Sequence, residues 1–127
     1  MADVNRGDRP LSPHLMIYRP QLTSISSIMV RITGIALLGA VFLVVWWLIA
    51  AASSSAYFAV VDGLLTSWFG DLLMTLATWA LFYHILGRLR HVIWDLGYGI
   101  EIDTAEKMAI GMFGLATLFT LITIIAV

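Results

Sequence analysis

The sequence has no cysteine. That excludes disulfides, thiolate-ligated iron–sulfur clusters and cysteine nucleophiles at once, so a metal centre in this chain has to be ligated by histidine. Charge is also scarce. Charged residues make up 12% of the chain, about half the share of a soluble domain. Seven basic and eight acidic residues nearly cancel, giving a net charge of −1, which removes any bulk electrostatic case for nucleic acid or for an acidic substrate. Proline occurs three times, at positions 10, 13 and 20, and nowhere later. Nothing in the remaining chain breaks a helix from within.

Hydrophobic residues fill the space left by these absences: they reach 61%, with a mean hydropathy of +0.94. Over 127 residues this composition describes an integral membrane protein with a few spans and short connections. The first long apolar run begins near Ile32, after three prolines, and is too long for the core of a signal peptide.

Residues 1–23 read as an extended arm on the membrane surface, since each proline fixes its own φ and disfavours helix before it. Thirty uncharged residues separate Arg31 from Asp62, more than the roughly 20 a bilayer span needs. They place the first helix at about 24–52, with Thr23 or Ser24 as N-cap and an exit loop from Ser53. Sixteen uncharged residues between Asp71 and Arg88 cover only about 24 Å. The second helix must therefore extend over about 68–95, drawing Asp71 into one interface and Arg88, Arg90 and His91 into the other. Gly97 and Gly99 stop it, and a third helix fills 105–127. The expected fold is an all-α membrane protein of three spans, divided into the arm (1–23) and the membrane domain (24–127). With three spans all seven basic residues lie on one side, which the positive-inside rule makes cytoplasmic, so the N-terminus is cytoplasmic too.

Two groups of side chains carry chemistry. His84, Arg88, His91 and Asp95 follow at spacings of four, three and four, which share a helix face. Ala77, Ala80 and Gly87 keep that face shallow, either for close helix packing or as a slot for a flat macrocycle bound through imidazole. His84 is the only histidine deep in a span, and ionisable groups there are functional candidates by default. His91, on the same helix face, cannot reach the opposite side of an iron that His84 holds. The second group, Ser24, Ser27, Arg31 and Gly34, lies at the start of the first helix. A hydroxyl and a guanidinium four residues apart can bond a quinone carbonyl and stabilise the negative charge that forms there. Equally, Arg31 can serve as an interfacial anchor while Ser27 bonds its own backbone.

Three stretches, RPLSPHLMIYRP (9–20), SISSIMVRITG (24–34) and HILGRLRHVIWDLGYG (84–99), resemble the cytochrome b membrane-anchor subunit of succinate dehydrogenase, respiratory complex II. The resemblance covers most of 9–107 and implies the following. His84 is an axial ligand of haem b, and a smaller anchor subunit, bundled with this one, supplies the other histidine. Ser27 and Arg31 border the ubiquinone site, with Ile28 at its wall. Arg31 also faces a haem propionate, with Arg88 and His91 as further propionate contacts. The flavoprotein and iron–sulfur subunits oxidise succinate and deliver the electrons, so this chain belongs to a succinate:quinone oxidoreductase without itself dehydrogenating succinate. The location implied is the bacterial inner membrane, as a multi-pass protein. Many members carry histidine where this chain has Val30, which removes any haem or proton role at that side chain. The alternatives are the corresponding subunit of a quinol:fumarate reductase and a haem-free structural subunit. Nothing like the paired broken helices of a transporter is present.

Overall fold

Beyond Pro20 the chain is unbroken by proline and rich in leucine, isoleucine and alanine, and all regular secondary structure among the described residues is helical. The computed structural model describes residues 18–126. Most of the expected arm, including Pro10, Pro13 and His14, lies outside these residues. Four helices follow in order: α1 (Leu22–Ser53), α2 (Ser55–Leu65), α3 (Trp68–Asp95) and α4 (Ile102–Ala126). Three of them, α1, α3 and α4, are long and apolar enough to cross a membrane, as the uncharged runs require.

Several boundaries differ from expectation. Helix α1 starts at Leu22, with Gln21 as an N-cap that makes no side-chain bond. Neither Thr23 nor Ser24 caps it, because the backbone is already helical at both; the Ser24 hydroxyl instead accepts from Tyr18 Oη at 3.1 Å. Helix α4 begins three residues earlier than expected, at Ile102. The expected exit loop contains an additional helix. Ser54 adopts an extended conformation (φ −161°, ψ 154°), ending α1, and its side chain accepts from Tyr57 N to cap α2. With 11 residues α2 is too short to span, so the number of crossings remains three. Two indoles tie it back to α1: Trp46 Nε1 donates to Tyr57 Oη at 2.7 Å, and Trp47 Nε1 to Asp62 Oδ1 at 2.9 Å.

Helix α3 is central, packed against both α1 and α4. Its end is a Schellman motif: Tyr98 N donates to Ile93 O and Gly97 N to Trp94 O, with Gly97 at φ +83°. Gly97 therefore acts as the stop signal the sequence indicated. The core where the three long helices meet is small: Val30, Tyr83, Met112 and Ala116, with Trp79 and Phe113 packed against it. Tyr83 stacks on Trp79 (5.1 Å between centroids), and its hydroxyl donates to Ser26 Oγ at 3.1 Å. Most other large apolar side chains face outward, Ile35, Leu38 and Phe42 among them.

Close approach of α1 to α3 depends on Gly87. A Cβ there would overlap a γ-methyl of Val30 and lie 3.2 Å from Met112 Cε. Gly87→Ala should destabilise the subunit by about 1–3 kcal/mol through overpacking. Thermal unfolding of the assembled complex checks this, and pairing it with Val30→Ala should recover much of the loss, because the two side chains compete for one space.

Candidate functional site

Both groups of residues picked out in the sequence line one groove. Ser27, Val30, Arg31, Gly34, Ile35 and Leu38 from α1 face His84, Arg88 and His91 from α3 across a space of about 490 Å³. The size lies within the range of small-molecule sites. Three expected members, Ser24, Ile28 and Asp95, fall outside it. Ile28 is one residue past Ser27, about 100° round the helix, and points away at 53% exposure. Asp95 is exposed beyond the groove's end.

His84 is held in one orientation. Its Nδ1 lies 2.9 Å from the Val30 carbonyl and 3.5 Å from Thr33 Oγ1. A carbonyl oxygen can only accept, so Nδ1 carries the hydrogen and Nε2 keeps its lone pair. Arg88 Nε, which can only donate, points at Nε2 from 3.4 Å and is compatible with that tautomer alone. An imidazole fixed through Nδ1 on a backbone carbonyl, with Nε2 open to a groove, is the arrangement of a metal-ligating histidine. His91 is anchored in the same manner, Nδ1 to Gly87 O at 2.7 Å, with its ring edge-on to Trp94.

Gly34 allows the His84 ring to lie against α1. A Cβ at that position would stand 2.9 Å from His84 Cε1 and 3.3 Å from Nδ1. Gly34→Ala should push the ring off the Val30 carbonyl. The expected result is a loss of roughly 10- to 100-fold in affinity for a metal ligated by Nε2, the usual consequence of disturbing an outer-shell contact. Competition for haem against an apo-globin reads this directly.

Val30 explains how the chain manages without a histidine at that position. Its side chain is buried at 5% exposure in the core, against Gly87, while its carbonyl orients His84. The service to the site comes from the backbone and is independent of the residue type. Sequence reading missed this carbonyl, together with Thr33, because a main-chain acceptor leaves no mark in the sequence. Gly34 did leave one, a small residue seven positions after Ser27 and four after Val30 on the same helix face.

The basic cluster divides in two. Arg31 and Arg88 are exposed along the groove, but Arg90, expected to reach out to the headgroups, is buried at 1% exposure. It shares the core-facing side of α3 with Tyr83, Gly87 and Trp94 at spacings of four, three and four. Its Cζ lies 4.5 Å from the Trp94 ring centre, and none of its three guanidinium nitrogens has a hydrogen-bond partner. A desolvated cation–π contact contributes about 2 kcal/mol, whereas desolvating an ion costs several kcal/mol, on the order of 5. The indole offsets only part of that cost.

Among the described residues no set of three or more histidine or carboxylate side chains is placed to enclose a bare metal ion. A neutral imidazole with Nε2 facing the groove is chemically suited to a haem iron.

Comparison with known proteins adds to this geometry. Residues 5–123 match the family described as Succinate dehydrogenase/Fumarate reductase transmembrane subunit. The chain is 48% identical over 125 residues to the succinate dehydrogenase cytochrome b556 subunit of Paracoccus denitrificans, covering 98% of this chain and 96% of that one. It is 40% identical over 94 residues to the cytochrome b556 subunit of Rickettsia conorii, covering 74% and 73%. With the succinate dehydrogenase cytochrome b560 subunit of Reclinomonas americana it shares 39% identity over 120 residues, 91% and 83% of the two chains.

Proposed function

The chain belongs to the family of transmembrane subunits of succinate dehydrogenase and fumarate reductase, and from that premise we propose that it anchors a succinate dehydrogenase, gives haem b one axial ligand through His84 and forms part of the ubiquinone-reduction site. The observation that carries the reading is the His84 ring, tied by Nδ1 to the Val30 carbonyl with Nε2 facing the groove.

Each residue's part follows from its place. His84 presents a neutral imidazole nitrogen, and Gly34 leaves the ring room. A second histidine for the iron would have to come from outside this chain, from the smaller anchor subunit, since His91 is on the same helix and is anchored on the same side. Arg88 can turn from Nε2 to a propionate carboxylate, and Arg31 and His91 stand at the same end of the groove to meet the other. Bound there, haem b supplies a one-electron relay close to the quinone.

The quinone lies near Ser27 and Arg31, where the Ser27 hydroxyl donates to one carbonyl oxygen. The Arg31 guanidinium stabilises the negative charge that gathers on that oxygen as electrons arrive from the iron–sulfur subunit. Ile28 points away from the groove, so its part as a quinone wall requires a quinone reaching round the outer surface of α1. No step of succinate oxidation falls to this chain; the flavoprotein subunit performs it.

The basic residues set the orientation. With three crossings, Arg31, Arg88, Arg90 and Lys107 share one side, the cytoplasmic side of a bacterial inner membrane, and the arm before α1 lies there with the soluble subunits. The names of the relatives favour succinate oxidation over fumarate reduction as the working direction. The test is the purified complex itself: its reduced-minus-oxidised spectrum should carry a b-type band at one haem per flavin. A complex active with quinone but lacking that band would overturn the reading.

A further inference from the structure

Thr33 behaves unlike the other threonines that bond back to the chain. Thr66, Thr78, Thr117, Thr120 and Thr123 each donate to the carbonyl four residues earlier, and to no second acceptor among the described residues. That is the ordinary habit of a hydroxyl on a helix. The Thr33 hydroxyl, on a side chain buried at 3% exposure, does the same and lies 2.8 Å from Met29 O. It also lies 3.0 Å from Val30 O. That oxygen is the one that holds the His84 ring, 2.9 Å from Nδ1.

A carbonyl oxygen has two lone pairs. Within α1 the ladder bond from the Gly34 N–H takes one of them, which leaves Thr33 and His84 to share the other. How strongly His84 is held matters to its free nitrogen. An imidazole that donates strongly through Nδ1 is a more basic ligand through Nε2. A more electron-rich axial ligand favours the oxidised iron and lowers its potential. By drawing on the same lone pair, the Thr33 hydroxyl weakens the pull of Val30 O on the Nδ1 hydrogen. Its own separation from Nδ1, 3.5 Å, is too long to replace what it withdraws.

We propose that Thr33 is a positioning residue that tunes the haem: its hydroxyl moderates the bond between Val30 O and His84, keeping Nε2 a weaker electron donor and the haem potential higher than the carbonyl alone would set it. The inference rests on the reading of His84 as an axial ligand. Thr33 does not line the groove, so it acts only through the oxygen it shares.

Redox titration of the purified complex, followed at the b-type band, tests this. Thr33→Val keeps the shape of the side chain and removes the hydroxyl, so the Val30 carbonyl turns more fully to Nδ1. The equilibrium constant for haem reduction should fall about threefold, the lower end of what a neutral hydrogen bond contributes. At roughly 59 mV per tenfold for a one-electron couple, that is a drop of about 28 mV. Thr33→Ser returns the hydroxyl and should return the potential to the parent value. An unchanged or raised potential in Thr33→Val overturns the proposal, and so does a Thr33→Ser value that falls with it. Gly34→Ala, which pushes the ring off the carbonyl, supplies the control after loading with excess haem. In that background Thr33→Val should shift the potential no further; a persisting drop would trace the effect to the polarity of the site and overturn the role of Val30 O. Failure of the underlying reading shows separately, as a parent complex without a b-type band or a His84→Gly complex that keeps one.

Discussion

Replacing Arg31 with alanine should lower quinone reduction by about 100-fold, while succinate oxidation by a soluble artificial acceptor stays close to its original rate. The size is that of losing one preorganised donor to an oxygen that gathers negative charge. The separation of the two activities follows from place. Arg31 is exposed along the groove beside Ser27, takes no part in the Val30–Tyr83–Met112 core, and its loss should leave the bundle standing. Arg31→Lys keeps the charge but loses the planar fork, and should fall between the two. Steady-state assays with both acceptors decide it: equal loss of both activities would make Arg31 a structural anchor.

His84→Ala should remove most of the haem, a drop of more than roughly 100-fold in affinity, since a direct ligand matters more than the outer-shell contacts whose loss costs up to that much. A packing histidine makes a different prediction. Truncating it would leave a cavity and cost about 2–4 kcal/mol of stability, with the spectrum of the surviving complex unchanged. Haem per flavin in the isolated variant separates the two, because a less stable complex that still carries its full haem fits only the packing role.

Much of this was legible in the sequence. Uncharged runs marked the three crossings, and the only deep histidine marked the groove. Ser27 and Arg31 were identified from α1 alone, and the structure places them opposite His84. What escaped did so for physical reasons. Helix α2 follows α1 after the single residue Ser54, and an apolar stretch of 11 residues beside a longer one has no distinct period of its own. The turn of His84 depends on a backbone carbonyl, which every residue type supplies. Arg90 could have been read correctly: three basic residues within four positions look like one patch, but 200° of helical rotation separates Arg88 from Arg90. The spacing Tyr83, Gly87, Arg90, Trp94 already put Arg90 on the core side.

The central claim, that the imidazole of His84 is an axial ligand, is tested most directly by replacing the side chain and returning its ring. In His84→Gly the space beside Gly34 opens onto the groove, which is accessible from outside the chain. The reduced-minus-oxidised spectrum of this variant, purified after haem supplementation and titrated with free imidazole, should lack the b-type band at first and regain it as imidazole is added. A full b-type band in His84→Gly before any imidazole is added would contradict the assignment.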